Sequence, residues 1–126
     1  MNYDPKIIEV LEEKFQKEMK VIRGSSIGVA VSGGGDSLAL LFLASKWAKS
    51  YKKNLRVVTV DHHLREESKD EAFYVRSISQ ELGVNHEILD WICHPRKGNL
   101  QAEASLARKK LICEWAAEHI IDTVLL

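Results

Sequence analysis

The stretch Ser32–Ser37 (SGGGDS) is the part of this chain best suited to chemistry, and it stands between two apolar runs. Glycine lets a backbone take positive φ and approach a ligand closely. Successive amides followed by a helix N-terminus form a site for anionic oxygens, and Ser32 and Ser37 add hydroxyl donors. Asp36 is out of place beside a phosphate until magnesium is counted, because a carboxylate can hold a metal that bridges phosphate oxygens. The string therefore predicts a pyrophosphate cradle made of Ser32, Gly33, Gly34, Gly35, Asp36 and Ser37, with magnesium at Asp36. It is not a Walker A loop, since no lysine follows until Lys46, and Leu38 occupies the third glycine position of G-x-G-x-x-G.

Two further clusters carry reactive side chains. VDHHLREES (Val60–Ser68) offers Asp61, His62 and Arg65, and GNLQAEASLARKKL (Gly98–Leu111) offers Arg108. His94, Arg96, Lys97, Lys109 and Lys110 make a basic cluster able to meet an RNA backbone, or simply a solvated surface. Each string also has a rival reading. GDSL (Gly35–Leu38) opens like a serine esterase with Ser37 as nucleophile, but that chemistry needs a distant Asp-x-x-His, and Leu125 is the residue at that spacing from Asp122. The D-H-H of a manganese phosphoesterase needs upstream aspartates, and the first strand offers only Asp36. A glycine-rich corner without a ligand is the plainest alternative.

The elements that must position these residues alternate in type. The N-terminal segment reads as an amphipathic helix, with Asp4 as cap, Pro5 in the first position, and Ile7, Ile8, Leu11, Phe15, Met19 and Ile22 on one face. Strands are predicted at Ser26–Val31, Leu55–Val60, His86–Ile92 and Asp122–Leu126. Helices are predicted at Leu38–Ser50, Glu66–Gly83 with Gly83 as its stop, and Leu100–His119. Strands alternating with helices of this length give βαβ units, so the fold class is α/β: a parallel sheet with helices on both faces. Ligands in such folds bind beyond the carboxyl ends of the strands, which is where Ser32–Ser37 falls. Residues 1–25 are read as the N-terminal helix and residues 26–126 as the domain.

Composition narrows the class. The 126 residues are 45% hydrophobic and 29% charged, the profile of one soluble globular domain. With 18 basic against 18 acidic side chains, a nucleic-acid partner has to be met by a local patch. Cys93 and Cys113 form no C-x-x-C, which predicts buried free thiols in a reducing cytoplasm. The N-terminus is acidic rather than a signal peptide, and the longest apolar run, Leu38–Ala44, is far too short to span a membrane.

SGGGDS matches S-G-G-x-D-S, the pyrophosphate loop of the ATP pyrophosphatase superfamily, and the chain resembles that family's Rossmann-like, adenine nucleotide alpha hydrolase-like domain. Within it, VDHHLREES resembles the V-D-H-G-L-R-x-E-S block of the tRNA(Ile)-lysidine synthetases, matched at Asp61, His62, Leu64, Arg65 and Ser68, with His63 where glycine is usual. The third string resembles G-N-x-Q-x-x-A-R-x-x-R-Y, matched at Gly98, Asn99, Gln101, Ala104 and Arg108, with Ser105 and Lys109 departing from it. The resemblance implies ATP and magnesium as cofactors, tRNA(Ile) and free lysine as partners, and no membrane; it is compatible with a homodimer. The implied reaction adenylates the wobble cytidine and joins lysine to it, releasing pyrophosphate and AMP. Asp36 and Arg108 would be catalytic, with Asp61, His62 and Arg65 in the surrounding shell. tRNA thiolases are the nearest rivals, though several use C-x-x-C cysteines; a nucleotide-binding module without catalysis and the esterase are the rivals of other classes. The family also places G-H-x-x-D-D-x-x-E-T directly after the fourth strand, beyond Leu126, so the domain is expected to be incomplete at its C-terminus, able to bind ATP but not to make lysidine.

Overall fold

A computed structural model describes residues 5–92 and 100–126. The elements in order are α1 (Pro5–Met19), β1 (Ser26–Ala30), α2 (Gly35–Ser50), β2 (Asn54–Asp61), α3 (Glu67–Leu82), β3 (Asn85–Asp90), α4 (Leu100–Glu118) and β4 (Thr123–Leu125). All strands are parallel, in the order β3-β2-β1-β4.

Side-chain alternation sorts the central strands onto two cores. Ile27, Val29, Leu55 and Val57 point to one face, where they meet Leu41, Ala44 and Trp47 of α2, Val75 of α3, and Phe15 and Met19 of α1. Ala30 and Val58 point to the other, where Ile112, Trp115 and Ala116 of α4 cover them. The parallel sheet thus has helices on both faces, as the alternating pattern predicts. Right-handed crossovers explain the division: β1 to β3 advance in one direction and carry α2 and α3 on one face, while the return past β1 to β4 carries α4 on the other. The two directions part beside the end of β1, and a crevice opens there.

Several local expectations are sharpened. α2 begins at Gly35 rather than Leu38, so the second half of SGGGDS is the first helical turn, with Asp36 in the position that the helix dipole favours for an acid. Gly83 ends α3 in the left-handed conformation at φ 72°. In α1 the lower half of the predicted face is buried at Phe15 and Met19, whereas Leu11 stays 42% exposed. Cys113 is exposed and free, against the expectation of a buried thiol: it follows buried Ile112 by one residue, which turns it off the sheet-facing side of α4. Cys93, His94, Arg96, Lys97, Gly98 and Asn99, and the cap Asp4, lie outside the described residues. No helix among the described residues is long and apolar enough to cross a membrane.

Two positions test the packing in opposite directions. A β-carbon at Gly28 would stand 2.9 Å from Cζ3 of buried Trp115, so Gly28→Ala is expected to destabilise the fold by about 1–3 kcal/mol. Ile120 is held at φ 53° while 82% exposed, a conformation that clashes with its own β-carbon and buries little in return. Ile120→Gly is expected to stabilise by about 1 kcal/mol; urea unfolding of the two variants checks both signs.

Candidate functional site

The loop after β1 is shaped by its own serine. Val31 continues the pairing with β2 (N–H to the Val58 carbonyl, 2.9 Å), and the chain leaves the sheet at Ser32. The Ser32 hydroxyl accepts the Gly34 amide at 3.3 Å and donates to the Ser37 hydroxyl at 3.2 Å, drawing the loop against the first turn of α2. No side chain caps α2 at Gly34, which leaves the first amides of the helix free for an incoming anion.

The glycines serve proximity rather than unusual dihedrals. Gly34 is extended at φ −74°, and among the described glycines only Gly83 has positive φ, so the loop does not use the conformational freedom that glycine offers. A β-carbon on Gly33 would meet Cβ of Glu71 at 2.9 Å, because α3 crosses the loop closely there. Gly35 has nothing within 4 Å of such an atom, and Gly34 only the Ser32 hydroxyl at 3.5 Å. Those two glycines keep backbone bare toward open space.

Beside Gly34 opens a cleft of about 420 Å³, whose lining does not include the predicted Gly35 and Ser37. Ser32, Gly33 and Gly34 form one wall; Thr59 and Val60 lie on β2, and His62 and Arg65 follow it; Ser68 and Glu71 come from α3; and Ala104, Ser105 and Arg108 come from α4. The fold therefore brings Ser32, Gly33, Gly34, His62, Arg65 and Arg108 together from three distant strings. Thr59, Ser68, Glu71 and Ser105 join them, none of which was expected as a site residue. Ser68 and Ser105 stood at motif positions, but Glu71 is one acid among several on α3 until the fold sets it against Gly33.

Asp36 is not in this cleft. It lines a separate cavity of about 640 Å³ between α1, α2 and α3, walled by Leu11, Phe42, Leu43 and Ile78. The lining of the cleft gives no support to the magnesium expected at Asp36, since Asp36 is not among the residues that wall it. The carboxylate that does line the cleft, Glu71, is held by Arg65 at 3.5 Å. Ser37 has the Ser32 hydroxyl as its partner rather than an imidazole, which removes the base an esterase nucleophile would need.

Asp61 is 3% exposed and does not face the cleft. Burial alone would raise its pKa, but the bonds from the Ser68 hydroxyl and the His63 amide, with the nearby His63 and His62 rings, outweigh burial and lower it. His62 accepts the Leu64 amide on Nδ1 at 3.1 Å, so the proton of the neutral ring sits on Nε2. His63 answers the question raised by its replacing a glycine: it keeps a left-handed backbone at φ 53°, and its ring lies 2.9 Å from Asp90 and 3.7 Å from Asp61. Histidine is among the side chains that tolerate this region best.

Beneath the cleft, Thr59 donates to the Val31 carbonyl at 2.8 Å and lies 2.9 Å from Nε2 of His86. Burial, and secondarily the Arg76 charge, lowers the His86 pKa from 6.5 to about 4. Since the unfolded chain takes a proton below 6.5 and the folded one resists until about 4, stability is expected to fall as pH drops through that window. Thermal unfolding across that range should show the slope, reduced in His86→Gln.

The PP-loop domain family matches residues 7–126. The chain is similar to the tRNA(Ile)-lysidine synthase of Orientia tsutsugamushi (strain Boryong), 46% identical over 95 residues, which are 75% of this chain and 22% of that protein. It is 41% identical to that of Rickettsia akari (strain Hartford) over 120 residues, 92% of this chain and 28% of that protein. With the Wolbachia pipientis wMel protein of the same name it shares 44% over 103 residues, 80% and 24% of the two chains. The chain thus spans about a quarter of the length of these curated relatives. In fold it is similar to the U34-tRNA thiolase NcsA from Methanococcus maripaludis with its 4Fe-4S cluster, at TM-score 0.84 and 18% identity over 93% of this chain and 43% of that one. A match that begins within α1 and includes every strand of the sheet carries the assignment: the chain belongs to the PP-loop domain family.

Proposed function

We propose that this chain is the ATP-binding part of a tRNA(Ile)-lysidine synthase. The observation that carries this reading is the convergence in one cleft of the loop backbone at Gly33 and Gly34, the latter being the N-cap of α2 with no side-chain cap, and the cations Arg65 and Arg108. The likeness to curated proteins of that name, at 41–46% identity, supports it.

ATP would lie with its pyrophosphate on the loop and its α-phosphate toward Arg108. The ring carbonyl oxygen of the wobble cytidine attacks the α-phosphorus, the bond to pyrophosphate breaks, and the adenylated ring carbon becomes electrophilic. The ε-amine of free lysine then adds to that carbon, and AMP leaves with the former carbonyl oxygen. The chain contributes charge neutralisation and positioning rather than a covalent intermediate. Arg108 and Arg65 face the phosphoryl oxygens, and the Nε2–H of His62 supplies a further donor. Magnesium enters only as a companion of the ATP phosphates, which are its usual ligands in such sites, and no step depends on Asp36.

The cradle can be tested apart from the fold. Gly35→Ala meets no atom in the free protein, so its stability should be unchanged or raised by up to about 1 kcal/mol. Its ATP affinity by calorimetry should nonetheless fall, because the added methyl stands in the first turn of α2, beside the amides that a phosphate would meet. In the protein that carries this domain, Arg108→Ala should slow tRNA- and lysine-dependent pyrophosphate release on the order of 10²-fold. Unchanged ATP affinity in Gly35→Ala, or pyrophosphate release indifferent to tRNA and lysine, overturns the reading.

A further inference from the structure

Asp61 is placed where a catalytic carboxylate would be expected, at the C-terminal end of a central parallel strand. Its surroundings give it different work. Its side chain is buried, and Oδ1 accepts both the Ser68 hydroxyl at 2.6 Å and the His63 amide at 3.0 Å. Its main-chain carbonyl accepts the Trp91 amide at 2.9 Å, which ties the same residue to the end of β3.

Ser68 is the other half of the device. Its hydroxyl lies 2.6 Å from Asp61 Oδ1 and 2.8 Å from the Arg65 carbonyl, but it has one proton to give. The Arg65 carbonyl already receives the Ser68 amide at 3.2 Å, and an ionised acceptor makes the shorter and stronger bond. The proton therefore goes to Asp61. α3 needs this contact, because Glu66 stands at its N-cap in helical conformation and makes no side-chain cap. One buried carboxylate oxygen thus pins the beginning of the turn through His63 and its end through Ser68. Of the two side chains of that turn which line the cleft, His62 lies between Asp61 and the pin at His63, and Arg65 between the pins at His63 and Ser68.

We infer that Asp61 and Ser68 are positioning residues, whose hydrogen bond sets the turn from His62 to Arg65 so that His62 Nε2 and the Arg65 guanidinium face the phosphates of ATP. This rests on the proposed ATP cleft for its ligand, though not for its geometry.

The test separates the two. Hydrogen exchange of the His63 and Leu64 amides reads the turn without nucleotide: Ser68→Ala and Asp61→Asn should each accelerate it, and unchanged exchange overturns the inference. Calorimetry with ATP then reads the consequence. Ser68→Ala should weaken binding about tenfold, and Ser68→Thr, which keeps the hydroxyl, should recover most of that. In a His62→Ala/Arg65→Ala background, Ser68→Ala should cost nothing further, since it acts through those side chains. A loss as large in that background as in the wild type marks a general weakening of the fold and overturns the inference. Absence of ATP binding by the wild type overturns the proposed function instead, while the exchange measurement still decides whether the pair sets the turn.

Discussion

β1 is hydrogen-bonded on both edges, to β2 and to β4, and covered on both faces. A strand confined on four sides has few ways to move, so its C-terminal end is the best-fixed point in the molecule. The chain leaves that point at Ser32, and every wall of the cleft is defined by its relation to it. α2 starts there with bare amides. β2 runs alongside and delivers His62 and Arg65. The crossover to β4 brings α4, with Arg108, over the opposite face. Were β4 added beyond β3 instead, α4 would share a face with α3 and no crevice would open beside the loop.

This arrangement lets a chain of zero formal charge gather positive potential where it is needed. Arg65 and Arg108 are far apart in sequence and face one small volume, beside oriented backbone amides whose partial charges cost no desolvation of a full ion. The carboxylates near that volume are drawn off: Asp61 is buried and hydrogen-bonded, Glu71 is paired with Arg65, and Asp36 lines the other cavity. Left unpaired in the cleft, any of them would oppose an anionic ligand.

Much of this was legible in the residues. Period-two apolar runs and helical spacing are local signals, so the order of elements, the helix stop at Gly83 and the βα position of SGGGDS could all be read directly. The direction of a side chain could not. Asp36 belongs to the loop string yet lines the cavity between α1, α2 and α3, because successive residues of a helix point about 100° apart. Glu71 carried no signal, since its importance is the closeness of α3 to Gly33. Cys113 read as a buried thiol because cysteine usually is one, and only the packing angle of α4 turned it outward.

His63 divides the two kinds of knowledge most sharply. The sequence by itself determined that a bulky residue stands where the resembling block has glycine, and with the other strings it determined the fold class and the place of the loop between β1 and α2. Only the tertiary structure decided how that residue is accommodated: left-handed backbone held by the Asp61 carboxylate, with the ring reaching Asp90 at the end of the neighbouring strand. The physical reason is range. Periodicity, turn chemistry and motif spacing act between residues close in sequence, whereas Asp61 and Asp90 meet through strand register and Arg108 reaches the loop through the side on which β4 joins the sheet.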